Sequence, residues 1–173
     1  MNRQFGWDNE DEGYAKLEHF NEHFLNLQGL TRMPKNYPRC DASGITTDGT
    51  DVNVEIKVRN QILLDTNTVS GVSQYNHPYT ANTIFIEAHK AADLLIDYIV
   101  DGNEPIYVNF IGEHVVVFNL RKLKRKPSRE TNKDIYSKLY EGKDKGVRYG
   151  LPLEDAFIYR KTENNSYILV RKP

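Results

Sequence analysis

Residues 39 to 59 read RCDASGITTDGTDVNVEIKVR, and the second half of this stretch decides the fold. From Asp51 to Arg59 the residues alternate strictly. Val52, Val54, Ile56 and Val58 fall on one side; Asp51, Asn53, Glu55, Lys57 and Arg59 fall on the other. A period of two with β-branched apolar residues marks a strand with one face in the core. The opposite face then carries a carboxylate and an ammonium side by side, Glu55 and Lys57. Just upstream, Thr47-Asp48-Gly49-Thr50 is a hairpin signal, because Asp-Gly supplies the positive-φ positions that tight turns need. Folding back around that turn returns Asp41 to the level of Glu55 to Lys57. A centred two-residue turn would set Asp41 opposite Ile56, on the wrong face. A bulge or a longer loop shifts the register by one and brings the two carboxylates together, and that is the arrangement expected.

Two carboxylates and a lysine on one sheet face make chemical sense around a divalent cation. Hard cations such as Mg²⁺ take one or two carboxylates and leave the other positions to water and phosphate oxygens. A lysine beside them positions or polarises the attacking water and offsets charge developing on the phosphate. The plainer alternative is a hairpin with a solvated Glu/Lys face. Asp41 at the right distance, and a helix upstream that carries carboxylates, favour the first. That helix is expected from about Gly13 to Leu27, where Tyr14, Leu17, Phe20, Phe24 and Leu27 recur at helical spacing. Glu18 lies beside the edge of this apolar stripe, within reach of a site at the sheet margin.

Asp41, then thirteen residues, then Glu55-Ile56-Lys57 resembles the PD-(D/E)XK nuclease superfamily. Glu18 stands where many members carry an additional metal-binding glutamate. The spacing from Glu18 to Asp41 to Glu55-x-Lys57 is similar to that of the archaeal-type Holliday junction resolvases. The chain departs from the pattern in having Cys40 before Asp41, with the proline displaced to Pro38, at a position that varies in the superfamily. The resemblance covers about residues 12 to 120 and leaves the C-terminal third unplaced. It implies a restriction-endonuclease-like α/β sandwich, with a central mixed β-sheet flanked by helices. It also implies a metal-dependent endodeoxyribonuclease, structure-selective and homodimeric in the manner of a junction resolvase. Mg²⁺ or Mn²⁺ would be held by Asp41, Glu55 and the main-chain carbonyl of Ile56, with Glu18 direct or through water, and Lys57 would orient the nucleophilic water. A non-catalytic DNA-binding or assembly protein on the same scaffold is the alternative.

The rest of the sequence is compatible. A length of 173 residues suits one domain with a sizeable core. Its single cysteine, Cys40, excludes an internal disulfide and suits a reducing, cytoplasmic compartment. With no histidine nearby in sequence, Cys40 reads as a small strand filler. No apolar run approaches a membrane span, and the N-terminus lacks a signal-peptide pattern. Residues 60 to 82 are polar and read as a long loop, in which Gln61, Gln74, Tyr75, His77 and Tyr79 could contact a nucleic acid. Thr83 to Glu87 reads as a strand and Ala88 to Val100 as a helix, with Ala91, Leu94, Leu95, Tyr98 and Ile99 facing inward. Ile106 to Ile111 and His114 to Leu120 read as paired strands, and Ala156 to Lys161 with Tyr167 to Arg171 as a closing hairpin.

Net charge is −1 overall, yet residues 121 to 148 carry eleven Lys/Arg against four acids, a net of +7. Clustered basic charge is the footprint of phosphate binding, so Arg121, Lys122, Lys124, Arg125, Lys126 and Arg129 are expected to grip the DNA backbone. The plainer reading is a solvated linker. A rival motif sits on the first helix, where His19-Phe20-Asn21-Glu22-His23 fits H-x-x-E-H and would make a zinc metalloprotease site through His19, Glu22 and His23. No acidic ligand on a second helix is evident to complete it.

Overall fold

The computed structural model describes residues 4–34, 37–72, 76–131 and 147–173. Helix α1 spans Gln4–Phe20, starting well before the expected Gly13, and runs into a π-helical turn, Asn21–Leu25. Asn26, in the left-handed region at φ 49°, closes that turn. Strands β1 (Gln28–Arg32), β2 (Ala42–Ile45) and β3 (Asp51–Arg59) follow as an antiparallel set. The described residues between 60 and 82 do not form the expected loop. They build a separate antiparallel sheet of β4 (Ile62–Asp65), β5 (Thr68–Val72) and β6 (Pro78–Ala81). The polar composition hid two core residues, Leu63 and Val69, which hold this sheet against the body of the protein. Asn67 N–H donates to Asp65 Oδ1 at 2.7 Å, an Asx turn between the first two of these strands.

Strand β7 (Thr83–Glu87) leads into α2 (Ala88–Asp101), which Gly102 ends in the left-handed conformation at φ 80°. The inner face of α2 is Ala91, Leu94 and Asp97; Ile99, expected inside, is 77 % exposed. Strands β8 (Glu104–Ile111) and β9 (His114–Asn119) turn tightly at Gly112, whose φ is 57°. β10 (Ser128–Thr131), β11 (Val147–Pro152), β12 (Phe157–Lys161) and β13 (Tyr167–Arg171) complete the described elements. The last two form the expected hairpin.

Among the described residues the main sheet has seven strands, in the order β1-β2-β3-β8-β9-β12-β13, and is mixed, because β3 and β8 run parallel on either side of the α2 crossover. A third sheet, β10-β11-β7, takes the strand expected from TIFIE and pairs it with residues 147–152. Both faces of the main sheet are covered. Leu17 and Phe20 of α1 pack with Val52, Val54, Val108 and Val117 on one face. Ala91 and Leu94 of α2 pack with Tyr107, Val116, Phe118 and Ile158 on the other. The protein is therefore a mixed α/β structure with helices on opposite faces of one large sheet.

Double coverage corrects the reading of β3 as half-solvated. Val52 to Glu55 are all buried, since β3 is flanked by strands on both edges and helices on both faces. Its polar residues survive there by pairing. Asn53 Nδ2 donates to Asp97 Oδ2 at 2.7 Å, and Arg59 Nε donates to Asn109 Oδ1 at 2.7 Å.

Candidate metal centre

The register of β2 on β3 sets the site. A five-residue loop, 46–50, joins the strands and places Ala42 opposite Val54, so Asp41 comes level with Glu55 rather than Ile56. Thr46 N–H donates to Thr50 C=O and Gly49, at φ 85°, turns the chain. Asp41 N–H donates to Val54 C=O at 2.9 Å, continuing the ladder one residue past β2. Beyond that point β3 has lost its neighbour, and the Asp41 carboxylate takes over. Its Oδ2 accepts the Ile56 N–H at 2.7 Å. In an extended strand one residue's N–H and C=O point to the same edge, so the Ile56 carbonyl is aimed at this edge too.

Glu55 is 8 % exposed and points towards α2. Each of its carboxylate oxygens lies 3.2 Å from Lys90 Nζ, in the first turn of α2. Burial, and then the Asp41 carboxylate, push the Glu55 carboxyl up to about 8, against the opposing pull of Lys90 and Lys57. For Lys90, burial would lower the ammonium pKa, but Glu55 and Asp41 outweigh it and raise it. Asp41, Glu55, Ile56, Lys57 and Lys90 line one cleft of about 400 Å³ with Glu10 of α1. Two carboxylates and a main-chain oxygen at its edge form a hard oxygen donor set that fits Mg²⁺ or Mn²⁺. Cys40 is buried beside them, its thiol pushed up to about 12 by burial and then by Asp97 and Asp41, which makes it a core filler rather than a nucleophile.

Of the residues expected at the site, Asp41, Glu55, Ile56 and Lys57 come together. Glu18 does not line the cleft; it is exposed beside Tyr14, whose hydroxyl pKa burial and then Glu18 push up. Glu10, two turns earlier, lines the cleft instead. The reason is how α1 crosses β3. Gly13 rests so closely on the strand that a Cβ there would meet Ile56 Cγ2 at 3.1 Å, and the part of α1 around it faces the cleft. Glu10 lies in the acidic segment before Gly13, outside the helix expected from the sequence. Lys90 was also missed, although its place in the first turn after a buried strand was a usable signal.

The basic segment is less free than its composition suggested. Arg121 meets Glu104 Oε1 through Nη2 at 2.5 Å and Nε at 2.9 Å. Arg125 pairs with Asp155 at 2.6 Å and Glu154 at 2.7 Å, and Asp155 also accepts the N–H groups of Lys124 and Arg125. Lys122, Lys124, Lys126 and Arg129 are exposed. None of these residues lines the cleft. Gln61 donates to the Tyr79 hydroxyl within the small antiparallel sheet. Tyr75, Gln74 and the basic residues 133–145 lie outside the described residues. His19, Glu22 and His23 do converge, with one ligand atom of each within 4.8 Å of the others, and among the described residues no fourth ligand joins them.

No protein-family model matches the chain, and no curated protein matches it. Among solved structures, the chain is similar to Hjc of Archaeoglobus fulgidus, described as a Holliday junction resolvase from an archaeal hyperthermophile. The similarity has a TM-score of 0.44 and 14 % identity, over 66 % of this chain and 78 % of that one. Among the described residues, no helix is long and apolar enough to cross a membrane.

Proposed function

We propose that this protein is a Mg²⁺- or Mn²⁺-dependent endodeoxyribonuclease with a restriction-endonuclease-like core and the cleft at Asp41 and Glu55 as its active site. The observation that carries this is the register. It sets Asp41, just before β2 begins, level with Glu55, two residues before Lys57, in one cleft. Asp41, Glu55 and the Ile56 carbonyl would hold the cation, joined by Glu10 direct or through water. When bound, the cation supplies Lewis-acid polarisation of the scissile phosphate and a more acidic attacking water. Lys57 orients that water and offsets charge on the phosphate. Lys90 holds the Glu55 carboxylate in place from the α2 side. Glu10 takes the role expected of Glu18. The exposed cations Lys122, Lys124, Lys126 and Arg129 bind the DNA backbone, a homodimer presents two such clefts, and the preferred substrate is branched DNA such as a four-way junction.

The test is a cleavage assay on linear duplex, single strand, flap and four-way junction DNA, each with Mg²⁺ and with EDTA. Metal-dependent cleavage by the wild-type protein, lost in Asp41→Asn and in Glu55→Gln while DNA binding persists, supports the assignment. Wild-type rates in either variant overturn it. Preference among the four substrates decides structure selectivity separately.

A further inference from the structure

The turn that ends α1 carries a second group of metal-ligating side chains, which the proposed nuclease chemistry does not use. His19 sits in the last turn of α1, and Glu22 and His23 lie in the π-helical turn Asn21–Leu25 that follows. Side chains at i, i+3 and i+4 share a helix face, and here they converge. One ligand atom of each lies within 4.8 Å of the others. The His19 and His23 rings stand edge to face, 4.7 Å apart between centres. Asn21 holds the turn in shape from outside, since its side chain accepts the Leu27 N–H at 2.7 Å and donates to the Leu27 carbonyl at 3.0 Å.

The orientation of His19 is a second, independent observation. Its Nε2 lies 2.8 Å from the main-chain oxygen of Asn165, in the turn between β12 and β13. A carbonyl can only accept, so Nε2 donates to it, which leaves Nδ1 as the ring nitrogen available to a metal. Metal-bound histidines are fixed in this way, with the second ring nitrogen donating to a carbonyl or carboxylate that sets tautomer and ring angle. Tyr167 of β13 backs both rings, its centre 5.6 Å from His19 and 6.3 Å from His23.

Two imidazoles and one carboxylate, with Glu22 and His23 exposed, leave further coordination positions open to water. Nitrogen donors favour Zn²⁺ and its late first-row neighbours over Mg²⁺, which prefers oxygen. Excess Mg²⁺ can therefore hold the oxygen site while Zn²⁺ is offered to the histidines. A cation bound here also reaches the sheet edge, because the His19 ring links the end of α1 to the β12–β13 turn.

We propose that His19, Glu22 and His23 form a Zn²⁺-class metal site that pins the end of α1 to the β12–β13 hairpin. Glu22 acts as a ligand, and no hydrolysis is assigned to the site. The inference is independent of the nuclease reading.

The test uses the full chain stripped of metal, titrated calorimetrically with Zn²⁺ in excess Mg²⁺, with Co²⁺ absorption as a spectroscopic check. The expected result is one Zn²⁺ per chain, unchanged in an Asp41→Asn/Glu55→Gln variant. Loss of a single ligand in His23→Ala, or in Glu22→Gln, should weaken binding about tenfold or more. Circular dichroism verifies the fold of each variant, and the exposed positions of Glu22 and His23 make two separate probes. Zn²⁺ should also slow amide exchange in residues 162–166, and should fail to do so in His23→Ala. Absence of stoichiometric Zn²⁺ binding overturns the site, as does binding that survives both variants or follows Asp41 and Glu55. Binding at the histidines without slower exchange in the hairpin turn overturns the pinning role.

Discussion

Glu55 should couple metal binding to proton release. In the metal-free protein its carboxyl titrates at about 8, because it is buried and faces Asp41. A cation must bind the carboxylate form, so below that pH each binding event expels a proton. Apparent affinity for Mn²⁺ then rises close to tenfold per pH unit, by roughly fifty-fold between pH 6 and pH 8, and by about twofold at most beyond. Calorimetry in buffers of different ionisation enthalpy counts the protons directly. Close to one proton per metal near pH 6.5, falling towards zero above pH 9, is expected. Stability of the metal-free protein follows with the opposite slope. A carboxyl whose pKa is higher folded than unfolded favours folding at low pH; here the stability it contributes is lost as pH rises from about 4.5 to about 8. The bound on that loss is about 5 kcal/mol, from the 1.4 kcal/mol that accompanies each pKa unit. The difference between wild type and Glu55→Gln, measured by urea unfolding in EDTA, isolates this term from other titrating groups. A pH-independent Mn²⁺ affinity with no proton release at pH 6.5 would refute the reasoning, because Glu55 would then be ionised already.

Other consequences follow from particular contacts. Glu10→Gln should weaken Mn²⁺ binding and slow cleavage, whereas Glu18→Gln should leave both near wild type, as read by calorimetry and nuclease assay. Asp97→Ala removes the acceptor shared by Arg39 and buried Asn53, each at 2.7 Å, and should cost about 3 kcal/mol in urea unfolding. Changing Lys122, Lys124, Lys126 or Arg129 to Gln should flatten the salt dependence of DNA binding, by about 0.9 for each phosphate that is no longer neutralised. Arg121→Gln and Arg125→Gln should flatten it less, since those guanidinium groups are engaged by Glu104 and by Asp155 and Glu154. Equal effects from both sets, in the same filter-binding series, would argue that the ion pairs open on DNA.

The centre of the fold was legible because its signals are local. The alternation from Asp51 to Arg59, the Asp-Gly turn and the β-branched runs of residues 106–119 each determine an element within a few residues. The one-residue register shift that brings Asp41 level with Glu55 was legible from side-chain parity together with the requirement that the two carboxylates share a face. What escaped depends on partners distant in sequence. Lys90 reaches Glu55 only through the packing of α2 on the polar face of β3, and that face looked solvated because pairing partners such as Asp97 lie 44 residues away. Leu63 and Val69 were masked by their polar neighbours. The extra turns of α1 before Gly13 were masked by acids, although acidic residues are well placed near a helix N-terminus. Charge counting overstated the basic segment for a related reason, since Glu104 and Asp155 come to it from elsewhere in the chain.

The central claim, a divalent-cation centre at the start of β2, is tested most directly by anomalous diffraction from crystals soaked in Mn²⁺. A peak bonded to the carboxylates of Asp41 and Glu55 and the carbonyl of Ile56, absent from Glu55→Gln crystals, is the expected result. Clear density for both carboxylates with no peak between them, or a peak unchanged in Glu55→Gln crystals, would contradict it.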